Sequence, residues 1–198
     1  SDQQRQGDVT GMRRLKLQMH ISIDGMAGRP EGATHFNWDA ALRQYSIENA
    51  ANAGSILLGR KTAENFIPHW KSVADNPKAP DLELGRLITD KPKIVFSKSL
   101  QEPQWPNATV ANGEIAECVN QLKQQTGNDL LVYGGLNFVA SLIAHNLVDE
   151  YHLLVNPVIL GGGFSISKAM ADPLRLTLLK RKAFACGTVL LCYKPFHA

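Results

Sequence analysis

Cysteine is scarce in this chain: Cys118, Cys186 and Cys192 are the three among 198 residues, and no two share a C-x-x-C spacing. An odd, dispersed set excludes a disulfide framework and a thiolate zinc site. The six histidines, at 20, 35, 69, 145, 152 and 197, never cluster, so no metal centre is expected. No run approaches the roughly 18 apolar residues of a membrane span, and the polar opening Ser1 to Gly11 cannot be the apolar heart of a signal peptide. The excess of positive charge is only +3, from 21 Lys and Arg against 18 Asp and Glu. That is too small for a nucleic-acid face and leaves room for a local anion site. Neither G-x-x-x-x-G-K-[ST] nor G-x-G-x-x-G occurs, which disfavours a P-loop and the usual dinucleotide fold. No residue stands out as a nucleophile activated by a neighbouring base.

What is present suits a folded domain: 44% hydrophobic and 20% charged residues, in a chain long enough to hide about two thirds of its unfolded surface. Residues 1–12 have little to pack and read as a leader or appended remnant, leaving one domain over 13–198 with no composition break. Alternation at Leu15, Leu17 and Met19 predicts a strand. The run from Asp39 to Ala53 predicts a helix, with Asp39 as a possible cap, feeding a buried strand at 55–59. A short helix is expected over 62–70, then a Pro-rich connection to Pro92 with one or two helical turns. Strands follow at 93–97 and 108–111. Ile115, Cys118, Val119 and Leu122 carry a helical stripe before a strand at 130–133, and a second stripe from Leu136 precedes one at 151–156. Two β-rich runs, 174–180 and 188–193, read as a terminal antiparallel pair. The expectation is an α/β fold: a mixed sheet of eight strands flanked by about four helices.

Three strand ends carry anion-compatible chemistry. Gly59-Arg60-Lys61-Thr62 leaves a buried strand and opens a helix, so free amides of the first turn lie beside a guanidinium and an ammonium. The competing reading is a Thr62 cap with Arg60 and Lys61 in solvent. Gly134 and Gly135 end the next strand ahead of the helix from Leu136, where absent Cβ atoms let backbone approach a phosphate. Ser97, Lys98 and Ser99 supply donors at a third strand end, Ser99 alternatively as a cap. Asp24 reads as a turn former or a ligand contact, and Trp38 as a stacking platform or a packed ring.

In chain order, Ser22-Ile-Asp-Gly25, Gly59-Arg-Lys-Thr62, Tyr133-Gly-Gly135, Leu147-Val-Asp-Glu150 and Asn156-Pro-Val-Ile-Leu-Gly-Gly-Gly163 with Phe164 resemble the dihydrofolate reductase-like superfamily. Within it the chain is most similar to the reductase domain of bifunctional riboflavin biosynthesis proteins, over about residues 14 to 194. The resemblance implies an eight-stranded mixed sheet, a homodimer in the cytoplasm and NADPH-dependent reduction of a small heteroaromatic or pyrimidine-riboside-like substrate, without nucleic acid, membrane or metal. It implies that Arg60, Lys61 and Ser97 or Lys98 meet the 2′-phosphate or its ribose. Gly59, Thr62, Gly134, Gly135 and Leu136 would line the pyrophosphate, and Ala27 and Gly28 the nicotinamide. Asp39, near the place of the family's acidic residue in the first long helix, is the catalytic candidate; Asp24, Trp38, Gly161 and Gly162 are expected at the substrate. The chain carries no zinc deaminase signature. The alternative is a non-catalytic nucleotide-binding homodimer.

Overall fold

Alternation in β1 (Leu15–Ile21) puts Leu15, Leu17 and Met19 on one face and Lys16, Gln18 and His20 on the other. The computed structural model describes residues 12–198, so the leader expected over 1–12 lies outside the described residues except for Met12. After β1 come β2 (Met26–Gly28), α1 (Ala40–Ala51), β3 (Ala53–Gly59), α2 (Arg60–Ala74), α3 (Leu82–Asp90), β4 (Lys93–Phe96) and β5 (Ala108–Ala111). Then follow α4 (Ile115–Gln124), β6 (Asp129–Val132), α5 (Leu136–Ala144), β7 (Glu150–Val155), β8 (Phe164–Ser165), β9 (Leu176–Ala183) and β10 (Val189–Pro195).

Eight strands join in the order β5-β4-β3-β6-β1-β7-β10-β9, and β2 with β8 makes a separate two-stranded sheet. From β5 to β7 every pairing is parallel. β10 runs against both its neighbours, giving the expected terminal antiparallel pair. Six parallel strands therefore finish at one edge of the sheet. The main core lies between the sheet and α4 and α5, built on Leu15, Leu17, Leu57, Val132, Val139 and Leu142. On the other face α1, α2 and α3 cover Ile56, Leu58 and Val95 through Ile47, Ala63, Leu84 and Ile88.

The edge where the strands begin is tied down. The Asp149 carboxylate accepts the Leu15 amide at 2.7 Å and pairs with the largely buried Lys123 at 2.8 Å. Asp129 accepts the Arg14 amide at 2.9 Å, and Arg13 Nε donates to the Asn128 carbonyl at 2.6 Å. These bonds fix the register of β1 between β6 and β7 and leave the opposite edge to loops.

Four elements depart from the sequence expectation or extend it. The Pro-rich connection holds a nine-residue helix, α3. Its Gly85 lowers helix propensity yet admits α2, since an added Cβ would stand 2.7 Å from Val73 Cγ1. β2 and β8 are too short, at three and two residues, to carry a readable alternation. α2 begins at Arg60, two residues before the expected start, with Gly59 as its cap rather than Thr62.

Candidate functional site

The ends of β4, β3 and β6 lie side by side, with Gly59 in register with Phe96. α2 and α5 spring from β3 and from just beyond β6, and neither has a side-chain cap or an acidic residue in its first turn. Their first amides are left without intrahelical acceptors at the positive end of each helix dipole. The two termini touch. A Cβ on Gly135 would collide with Thr62 Oγ1, and one on Gly59 would come within 3.3 Å of Phe138 Cβ. Only glycine at 135 lets α2 and α5 converge.

Cationic and hydroxyl groups surround this junction. Arg60 Nη1 donates to Ser99 Oγ at 2.8 Å, and its Nε to Glu64 at 3.2 Å. Ser97 Oγ accepts the Ser99 and Leu100 amides at 3.2 and 3.1 Å, shaping the turn after β4. Lys61 is exposed on the first turn of α2. Lys98 is bound to Glu114 at 2.8 Å, and that bond and charge raise its pKa. Leu136 packs its side chain on the main core, so it offers the site only backbone.

Farther along the edge, β1 ends in the turn 22–25. Asp24 has both carboxylate oxygens engaged: Ser22 Oγ donates at 2.5 Å, the Leu160 amide at 3.0 Å and the Gly161 amide at 2.7 Å. The Ser22 bond first, then the amides, bring its pKa down to about 2. Asp24 is thus a tie between the β1 turn and the loop after β7. Gly161, at φ +73°, presents its amide to that tie. Gly162 follows it on the exposed loop. Gly28 pairs with Phe164, and Gly163 must be glycine because a Cβ would strike the Gly28 carbonyl. Ala27 packs against the main core beside this small sheet.

The α1 side of the edge is aromatic. Asp39 caps α1, its carboxylate accepting the Leu42 amide at 2.9 Å, and that bond is the main reason its pKa is lowered. Of its two sequence roles, the cap is the one its geometry displays; a carboxylate held ionised on a helix amide is poorly suited to deliver a proton. Trp38, 42% exposed, donates Nε1–H to Asp81 at 3.0 Å, where Arg43 also binds at 2.6 Å. Its ring meets His20 edge-on at 6.2 Å, and Phe36 stacks on His20 at 6.1 Å.

Sequence reasoning missed His20 and Phe36. A lone histidine on an alternating strand reads as a polar side chain turned to solvent, and nothing local announces that Phe36 and Trp38 fold back over it. It also missed the side chain of Tyr133, stacked on Phe66 at 5.6 Å with its hydroxyl buried and unpartnered; the adjacent glycines were its only signal.

Comparison with known proteins supplies the wider context. A family model described as the RibD C-terminal domain matches residues 13–190. The uncharacterized protein YyaP of Bacillus subtilis (strain 168) is 29% identical over 184 residues, spanning 91% of this chain and 94% of that protein. The riboflavin biosynthesis reductase Rib7 of Saccharomyces cerevisiae superposes with a TM-score of 0.62 at 17% identity, covering 96% of this chain and 93% of that one. Dihydrofolate reductase from Enterococcus faecalis, solved with NADP(H), superposes at 0.58 and 14% identity over 94% of this chain and 97% of that one. The fold is the dihydrofolate reductase-like α/β fold.

Proposed function

Because the chain belongs to the RibD C-terminal domain family, we propose that it is an NADPH-dependent reductase of a small heteroaromatic or pyrimidine-riboside-like substrate. In this reading it works as a cytoplasmic homodimer of one domain over residues 13–198. The observation that carries the proposal is the meeting of two uncapped helix N-termini at Thr62 and Gly135. A pyrophosphate suits such a cradle: free amides face it, both dipoles favour its charge, and no Cβ intrudes.

Bound NADPH supplies hydride from its nicotinamide to an electrophilic carbon of the substrate. The chain's own residues bind, orient and exclude water. Arg60, already held by Ser99, and exposed Lys61 give the 2′-phosphate a cationic partner, and the Ser97 turn sits beside it. Gly59, Thr62, Gly134, Gly135 and the Leu136 amide hold the pyrophosphate. From β4 to β1 the edge crosses three strand spacings of about 4.8 Å, roughly 14 Å, a reach suited to an extended dinucleotide. Its redox end then falls at the end of β1, with Ala27 and Gly28 offering backbone to the nicotinamide.

Titration of the pure protein with NADPH, followed by nicotinamide fluorescence, is expected to saturate; no saturable signal would refute the reading. Arg60→Ala is expected to weaken NADPH by about tenfold or more, as for loss of a charge-assisted bond, and NADH by less than about threefold. Equal losses would contradict the 2′-phosphate assignment. One observation favours a non-catalytic nucleotide-binding homodimer instead: Asp24 and Asp39 are both engaged with backbone amides, leaving neither carboxylate free as a proton donor. Saturable NADPH binding without oxidation across dihydropterin, aminopyrimidine riboside and quinonoid compounds would select that alternative.

A further inference from the structure

His20 ends the polar face of β1, at the place where the reductase reading puts the redox end of the cofactor. Its ring is half-buried between Phe36, stacked at 6.1 Å, and the edge of Trp38. The protonation pattern of the ring follows from its neighbour. Asn156 is fully buried, and its Oδ1 accepts from the Asn37 amide at 2.8 Å and Thr188 Oγ1 at 3.1 Å. The carboxamide is therefore fixed with Nδ2 toward His20 Nδ1, at 3.1 Å. An amide nitrogen only donates, so Nδ1 accepts and the ring proton sits on Nε2. Burial lowers the imidazole pKa and so favours the neutral ring. Among the described residues Nε2 meets no acceptor. One strand over and on the same sheet face, Tyr133 keeps a buried hydroxyl that likewise lacks a partner.

We infer that His20 is the residue that positions the substrate, its Nε2–H donating a hydrogen bond to a ring nitrogen or carbonyl oxygen of a planar, uncharged heterocycle seated beside Phe36 and Trp38. The inference rests on the reductase reading and deepens it. A neutral donor held by a rigid amide favours an uncharged acceptor; a carboxylate would call for an imidazolium, which burial opposes. The aromatic pair suits a flat ring, and the donor fixes its orientation along the edge. His20 acts here by holding the acceptor in place, without itself giving up its proton.

Two measurements test this. In nitrogen-15-labelled protein, with the His20 signals assigned by their loss in His20→Gln, Nδ1 is expected to appear unprotonated and Nε2 protonated, and Nε2 is expected to move when either compound named below is added to the NADPH-saturated protein. A proton on Nδ1, or an Nε2 signal that neither compound moves, would overturn the inference. In turnover of 7,8-dihydrofolate or 5-amino-6-(5-phosphoribosylamino)uracil, followed by NADPH oxidation, His20→Phe is expected to bind NADPH within about twofold of the parent. It should lose about tenfold or more in kcat/KM, mostly through KM, with His20→Gln, which restores an N–H donor, recovering part. An unchanged kcat/KM in His20→Phe would overturn the inference too, and if neither compound is consumed the nitrogen signals decide. Failure of the parent protein to bind NADPH would bring down the reductase reading itself; every other adverse outcome leaves that reading standing.

Discussion

At Gly135 a single methyl group decides whether two helix termini can meet. Gly135→Ala forces Thr62 Oγ1 away from a β-branched rotamer it has little freedom to leave. We expect the variant to lose about 1–3 kcal/mol of stability in urea unfolding, the range for overpacking. Adding Thr62→Ala should recover most of that loss, and a strictly additive double variant would refute the contact. Asp24 makes a pH prediction. Its folded pKa, about 2, lies below its ordinary value of 3.8, so the tie to the loop after β7 is intact above about pH 4 and is lost as pH falls toward 2. Hydrogen exchange at the Leu160 and Gly161 amides should accelerate over that window, and Asp24→Asn should show faster exchange already at neutral pH. The residues legible in the sequence were those whose meaning is local: Gly59 to Thr62 and Gly134 with Gly135 announce a strand end and a helix start. The role of Asp24 was hidden because the amides it binds lie 136 and 137 residues away, and that of His20 because its neighbours arrive from a loop and another strand.

At the scale of elements, α1 is anchored by polar groups as much as apolar ones. Gln18 joins Ser46 at 2.9 Å and Asn49 at 2.7 Å beneath it, while the Tyr45 hydroxyl meets His152 Nδ1, whose Nε2 reaches Glu150 at 2.9 Å. Burial alone would raise the Glu150 pKa, but the His152 bond and the charges of Lys16 and Arg14 together bring it down to about 2. That lowering stabilises the fold above pH 4.5 and the contribution is lost as pH falls from there toward 2. Tyr45→Phe removes one partner and leaves Nδ1 buried and unsatisfied, so a loss of about 1–3 kcal/mol is expected. It should appear as a lower urea midpoint at unchanged slope; an unaltered midpoint would show the network to be energetically idle. This layer explains why α1 was foreseen from helix formers and not from a clean apolar stripe: its buried face includes Ser46 and Asn49. α3 was obscured for a related reason, since Gly85 and the flanking prolines argue locally for a loop while close packing against α2 argues for a helix.

At the scale of the whole molecule, the face covered by α4 and α5 carries no helix where it extends over β7, β10 and β9. Register places Leu153 opposite Leu191, Val155 opposite Val189 and Tyr193 opposite Leu178, a half-buried apolar strip beyond α5 that ends in Leu178 at 46% exposure. A second copy packed on this strip is the homodimer we propose. Leu191→Lys should convert the dimer to monomer in sedimentation, with a melting temperature that no longer depends on concentration. A monomeric parent protein would refute the arrangement. The order of the eight strands, by contrast, follows from pairings between distant segments that no local pattern encodes, which is why the sequence yielded the element types, a mixed sheet and its terminal pair, and not the order of the strands.

The division of labour between the two sheet edges also bears on how this protein can change. Ionic and backbone ties gather where the parallel strands begin, while the candidate ligand contacts gather where they end. Randomising residues 34–36, 98–99 and 158–160 should therefore yield libraries in which most members still fold. Under that layout new substrate preferences could arise by loop variation alone, with the scaffold inherited intact.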